Sequence, residues 1–220
     1  MKHMSVRRKI QVLIATAIIS MLLIAGAGLY FLNQMSNASR TMYQENLIPI
    51  QEVAQIRIDT RALDSFLVEM ILTKDETRIG ELQADIDTRQ AQIRSSLNKV
   101  EDTGRFTAQS KKQLEDLKDN VLAYDNGMSL VQDAATRNEN EEAYKAYSDS
   151  LEQVRDNVAS SAKSLMASMT RQAKDLNAQN QSEKQTAFYL MLGIILLGVV
   201  LFVGLALYIT RLITRPIRRL

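Results

Sequence analysis

The sequence predicts an all-α chain, an antiparallel up-down-up-down four-helix bundle set between two transmembrane helices. Three observations lead there. Two uncharged apolar runs of 23 residues, 10–32 and 187–209, bracket the chain. Between them four segments repeat apolar residues at alternating spacings of three and four, the 3.5-residue period of helices packed at shallow angles. No stretch of comparable length alternates with the two-residue period of a strand. With aromatics at 5% and no Trp, the composition suits long helices better than sheets.

The chain opens on a basic cluster, Lys2, Arg7, Arg8 and Lys9. Residues 1–9 are read as a cytoplasmic N-terminus, in which the only histidine, His3, belongs to a Met-Lys-His-Met start that looks like a cloning remnant rather than a ligand. The first apolar run, Ile10 to Leu32, follows. A cleavable signal peptide is the competing reading, because Ala25-Gly26-Ala27 fits a small-x-small cleavage pattern. The run continues past that point through Leu29, Tyr30, Phe31 and Leu32, so an uncleaved transmembrane helix is preferred.

The bundle occupies residues 33–186. Its first segment carries Val53, Ile56, Thr60, Leu63, Leu67 and Met70 on one seam, and the second Ile79, Leu82, Ile86, Ile93, Leu97 and Val100, with Arg89 at the odd seam position. The third runs Leu114, Leu117, Val121, Tyr124, Met128, Val131 and Ala135. The fourth runs Tyr144, Tyr147, Leu151, Val154, Val158, Ser161, Leu165, Met169, Gln172 and Leu176. The breaks are short and polar. Thr73 or Asp75 can cap the second helix, Gly104 supplies permissive backbone to the second turn, and Thr136 to Asn140 make the third. Short connections make sequential helices antiparallel neighbours. Pro49 removes one backbone donor, so a kink or offset is expected there.

The second apolar run, Ala187 to Ile209, would span roughly 35 Å as a helix, enough for a hydrocarbon core of about 30 Å. Tyr189 and Tyr208 sit near its ends, where amphipathic rings favour the membrane boundary. Arg211, Arg215, Arg218 and Arg219 follow it. Charge then fixes topology. The total of +2 conceals an asymmetry, because residues 33–186 hold all 25 Asp and Glu and 19 of the 27 Lys and Arg, a net of −6. Both termini are therefore cytoplasmic and the bundle lies on the other side of the membrane, the periplasm in a Gram-negative cell. Such a distribution points to membrane orientation and away from nucleic acid. With no cysteine and one terminal histidine, disulfides, Cys- or His-ligated metals and histidine-based catalysis are excluded, and neither enzyme activity nor a cofactor is expected.

The first bundle segment carries a second stripe, Ile50, Ala54, Ile58, Arg61, Ser65, Val68 and Leu72. A helix apolar on two sides needs a second cover, either a wide core or a second copy of the chain, and a homodimer through the first helices is the preferred expectation. The candidate ligand groups are arginines. Arg57 and Arg61 are four residues apart on one helical face, Arg89 sits in the second seam, and Arg155 borders the fourth. Guanidinium groups hold carboxylates bidentately, so these residues point to a small organic acid or amino acid. The competing reading pairs each with a nearby acid: Arg57 with Glu52 or Asp64, Arg61 with Asp64, Arg155 with Glu152. Tyr124, Tyr144 and Tyr147 are seam aromatics whose hydroxyls can also line a pocket, and Tyr144 and Tyr147 join the candidate site.

The whole layout resembles a bacterial methyl-accepting chemotaxis receptor with a four-helix-bundle ligand-binding domain. The likeness rests on the basic start, the two apolar runs, the bundle, the segment Asn46 to Val53 (NLIPIQEV), and the tail Arg211 to Leu220 (RLITRPIRRL), which looks like the opening of a HAMP domain at 210–220. The receptors' cytoplasmic hairpin is absent, so a longer protein with a downstream signalling domain is expected. The resemblance implies an inner-membrane chemotaxis sensor in which ligand binding shifts the last helix, passed through the second span into HAMP. It also implies that first-helix arginines bind ligand across a dimer interface, as in aspartate- and serine-type receptors. Two alternatives stay open: the same module on a histidine kinase or nucleotide cyclase, and a ligand-free helical tether.

Overall fold

A computed structural model describes residues 6–217; Met1, Lys2 and His3 at one end, and Arg218, Arg219 and Leu220 of the expected HAMP opening at the other, lie outside the described residues. The described chain forms α1 (Val6–Thr41), a π-helical turn (Met42–Leu47), α2 (Ile48–Leu72), α3 (Glu76–Thr103), α4 (Ala108–Thr136), α5 (Asn140–Ala146), a second π-helical turn (Tyr147–Leu151) and α6 (Glu152–Ile217). No strand occurs among the described residues. The chain divides into two compact units, one comprising residues up to Ser39 and from Ala178, the other Arg40–Asn177.

The first unit contains the two apolar stretches, both long and apolar enough to cross a membrane. They run antiparallel with a steady register. Gly198 lies opposite Ser20, Gly28 opposite Met191, and the Gln34 amide donates to Glu183 at 3.2 Å. Their large side chains, among them Leu22, Leu23, Leu197 and Val200, face outward, as helices do when their surroundings are as apolar as themselves.

The second unit is a four-helix bundle whose helices are α2, α3, α4 and the composite of α5, the second π turn and the start of α6. Every seam residue expected in the first three segments is buried, Arg89 apart. The connections follow from local chemistry. Asp75 is the cap of α3, its carboxylate accepting from the Thr77 and Arg78 backbone N–H groups at 2.9 and 3.4 Å. Thr107 and Ser110 form a reciprocal capping box that opens α4. Gly104 acts differently from expectation. Its φ is an ordinary −69°, so it relieves no backbone strain. It is needed for space, because a Cβ there would strike the Phe106 ring and lie 2.6 Å from the Val100 carbonyl oxygen.

The break expected at Pro49 takes the form of the first π turn. Proline cannot donate to the Glu45 carbonyl one turn back, and its ring crowds that oxygen. The freed carbonyl instead accepts from the Arg105 backbone N–H at 3.1 Å, so the α3–α4 loop docks on the defect. Asn46, buried in the turn, donates to the Thr41 carbonyl at 3.3 Å.

The fourth segment departs from the expected register. Leu151, Val158, Leu165 and Met169 are buried, but Tyr144 is 61% exposed and Ala143 occupies the core in its place. A π turn contains one more residue than an α turn, so everything before it is rotated by about one residue's 100°. The seam counted straight through Tyr147–Leu151 therefore slips by one on its N-terminal side. After the turn, Ala162 replaces Ser161 as the buried residue. Gly127 of α4 lets the π turn approach closely, since a Cβ there would meet Leu151 Cδ1 at 2.9 Å.

Candidate anion-binding pocket

One face of α2 presents Arg57, Thr60, Arg61, Asp64 and Ser65, at successive spacings of three, one, three and one. Against it lie Arg155, Asp156, Val158 and Ala159 in the first turns of α6. Together they enclose a cavity of about 380 Å³, within the range of small-ligand sites. Three arginines against two aspartates give its lining one net positive charge.

The acids are unevenly shared. Arg155 takes both: its Nη1 lies 3.0 Å from Asp64, and its Nε and Nη2 lie 3.1 and 2.9 Å from Asp156, with Glu152 at 3.5 Å. Tyr147, carried on the second π turn, donates its hydroxyl to the other oxygen of Asp64 at 2.9 Å and accepts from Arg155 at 3.2 Å. Burial first, and then the bond to Asp64, push the Tyr147 phenol up to about 12. For Arg155 partial burial works against the charge, but hydrogen bonds to Asp156 and Asp64 outweigh it and hold the proton more firmly than usual.

Arg57 and Arg61 are left without an acid. Neither forms an ion pair among the described residues, and Arg57 Nε is buried with no hydrogen-bond partner. Glu52, the other partner expected for Arg57, is engaged with Ser96 at 2.7 Å and Lys99 at 3.1 Å. A buried guanidinium donor without an acceptor is costly, by about 1–3 kcal/mol or more for a charged group.

Four of the six expected site residues, Arg57, Arg61, Arg155 and Tyr147, meet around this cavity. Two do not. Arg89 pairs with fully buried Asp59 at 2.7 Å and lines a separate groove with Gln51, Glu52 and Lys99. Tyr144 is turned outward by the π turn. Sequence reasoning missed Asp64 as the hub that joins Arg155 to Tyr147, and missed Thr60, Ser65 and Asp156 as lining. Their signal was the clustering of polar residues beside Arg57 and Arg61 on a helix that otherwise buries its seam.

The four-helix bundle agrees with the comparison to known families. The model of the four-helix-bundle sensory module for signal transduction matches residues 3–183. The chain belongs to that family, the sensory module of methyl-accepting chemotaxis proteins. The match takes in the first apolar stretch and all four helices of the sensory module's bundle. No curated protein matches the chain.

Proposed function

We propose that this sensory module is the input of a chemoreceptor that binds a small organic anion, a carboxylic acid or amino acid, between α2 and α6 outside the cytoplasm. The observation that carries this reading is the pair Arg57 and Arg61, which no acid of the described chain neutralises. A carboxylate entering the cavity would accept from both and would compete with Asp64 for Arg155. Thr60 and Ser65 are at hand for a second polar group of the ligand. A net lining charge of +1 suits a monocarboxylate or a zwitterion with an added acid.

The module is proposed to sit in the inner membrane with its bundle in the periplasm, as the basic clusters at both ends favour. It pairs through α2 with a second copy. The support is that two apolar members of the second stripe stay uncovered within one chain, Ile58 and Leu72 at 58% and 75% exposure. Ligand would then shift α6 against α2, and the segment from Glu152 to Ile217, helical without a break, would carry the displacement toward HAMP. A coupling of about 1–3 kcal/mol suffices to bias a balanced switch.

The test is thermal unfolding of the chain in detergent against a panel of carboxylates and amino acids. A true ligand at 100 times its Kd adds about 2.7 kcal/mol. Arg57→Ala and Arg61→Ala should each abolish the shift while leaving helicity unchanged. A ligand that is neutral, or that binds both variants normally, would place the site elsewhere.

A further inference from the structure

The charges of the cavity are sorted by helix. On α2 stand Arg57, Arg61 and Asp64; on α6 stand Arg155 and Asp156, with Glu152 one turn earlier and bonded to Arg155. Asp64 and Arg155 are partners across the gap, at 3.0 Å. With that pair set aside, α2 keeps two arginines and α6 keeps two carboxylates, so one wall is cationic and the other anionic. The walls do not neutralise each other, since neither Arg57 nor Arg61 forms an ion pair with Asp156 or Glu152. Arg155 stands between the acids of the two helices. Its Nη1 meets Asp64, while Nε and Nη2 meet Oδ1 of Asp156 and Nη2 lies 3.5 Å from Oε1 of Glu152. The second oxygens, Oδ2 of Asp156 and Oε2 of Glu152, are not held by Arg155, and both side chains are more than half exposed. Val158 and Ala159 add an apolar patch to the same lining.

Opposite charges on opposite walls of one cavity complement a ligand whose own charges are opposed and set apart. With its carboxylate on Arg57 and Arg61, an ammonium on the adjoining carbon would fall beside the Arg155 guanidinium, where like charges repel. An ammonium carried further along the chain passes Arg155 and meets the acids of α6. We propose that the cavity selects a linear amino acid whose ammonium lies at the far end of the chain from its carboxylate. The carboxylate binds Arg57 and Arg61 on α2, the methylenes lie against Val158 and Ala159, and the ammonium binds Asp156 and Glu152 on α6. This inference rests on the anion-site reading and deepens it: the carboxylate gives binding, and the ammonium gives choice among carboxylates. Such a ligand also ties α2 to α6 a second time, beside the Asp64–Arg155 pair.

The test is thermal unfolding of the full chain in detergent with β-alanine, γ-aminobutyrate and δ-aminovalerate. Each is run beside its α-amino isomer and the parent acid that lacks the amine, with succinate and glutarate alongside. One of the three should bind about tenfold or more tightly than both of its matched compounds, the gain of one charge-assisted bond. Glu152→Gln with Asp156→Asn neutralises the anionic wall, and there the same amino acid should bind no better than its parent acid. Circular dichroism checks that this variant is folded, and Asp156→Asn alone carries the comparison if it is not. Parent acids that bind as well as their amino forms overturn the ammonium contact and leave the anion reading standing. A preference that survives the double change does the same. An α-amino isomer that binds best overturns the separated charges. A shift by succinate or glutarate alone keeps the anion reading and overturns this one, and no shift by any carboxylate overturns both.

Discussion

Arg89 and Asp59 offer a sharp distinction between an arginine that holds the bundle together and one that waits for a ligand. Asp59 is fully buried on α2, and its carboxylate accepts from Arg89 Nη1 at 2.7 Å and from the Gln55 amide at 3.1 Å through each oxygen. The Arg89 side chain is 36% exposed. The two halves of this pair are therefore not equivalent. Arg89→Met strands a carboxylate in the core with only a neutral amide beside it, at a cost of about 3–5 kcal/mol. Asp59→Leu leaves a guanidinium that can turn toward water, costing roughly 1–2 kcal/mol. The double change removes both charges and fills the space with apolar atoms, which in buried pairs is commonly neutral or stabilising. For a domain of this size, about 2–4 °C of unfolding midpoint corresponds to each kcal/mol. Arg89→Met should thus lower the midpoint by roughly 6–20 °C, and Asp59→Leu with Arg89→Met should recover most of the loss. Far-ultraviolet circular dichroism of the chain in detergent reads this directly, because the apolar helices stay folded there and the signal lost on heating is the bundle's. Equal costs for the two single changes, or a double change as damaging as Arg89→Met, would refute the argument from burial. So would a carboxylate whose binding Arg89→Met abolishes while the midpoint stays put, since Arg89 would then be a ligand group.

Other outcomes follow from the same geometry. Leu117 is fully buried in the seam of α4, so Leu117→Asp should cost about 4 kcal/mol or more and collapse the melting transition. Single cysteines at Ala54 and Ile58, in a chain with no cysteine of its own, should crosslink to their own copies in membranes, and failure of both while α4 positions crosslink would move the interface. The Tyr147 phenol is raised from 10.0 to about 12 in the fold, so its contribution is complete below pH 10 and is lost as pH rises from about 10 to about 12. Tyr124, raised in the same direction, adds to that loss, and Tyr147→Phe should make the alkaline fall in the unfolding midpoint shallower.

The first three helices were legible residue by residue because each is an uninterrupted α-helix between short turns, so a seven-residue count keeps its phase along the whole element. The fourth was legible at Leu151, Val158, Leu165 and Met169, but not at Tyr144 or at Ser161, whose place Ala162 takes. Nothing in the apolar pattern marks the insertion, since Tyr144 and Tyr147 fit an unbroken seam as well as Ala143 does. The local chemistry does offer a trace in retrospect. Ser148 and Ser150 both donate to carbonyls of the preceding turn, Lys145 and Ala146, at 3.3 Å, the kind of side-chain competition that loosens a helix. The offset at Pro49 was readable from proline's missing donor, whereas the answer to it, the Arg105 N–H on the Glu45 carbonyl, came from a loop about sixty residues away in sequence.

The pocket divides along the same line. That Arg57 and Arg61 share a face is a property of helical spacing, and the sequence carries it in full. Which arginine keeps an acid is a property of the packed bundle. Asp64 lies three residues from Arg61 and was available to it locally, yet it bonds to Tyr147 and Arg155, 83 and 91 positions on. The π turn is what makes this possible, because it carries Tyr147 at the rotation that brings its hydroxyl to Asp64 while Tyr144 is sent outward. Had the fourth helix run through this stretch without the extra residue, Tyr144 would sit in the seam as first counted. The insertion that defeats the sequence pattern is therefore the same feature that brings the Tyr147 hydroxyl to Asp64, on the oxygen that Arg155 leaves open. A variant that straightened the turn, by deleting one residue between Tyr147 and Leu151, should return Tyr144 to the core and take the Tyr147 hydroxyl from Asp64, which then holds Arg155 alone. Carboxylate binding should then weaken although every arginine is still present, and unchanged binding in such a folded variant would sever the link between the turn and the site.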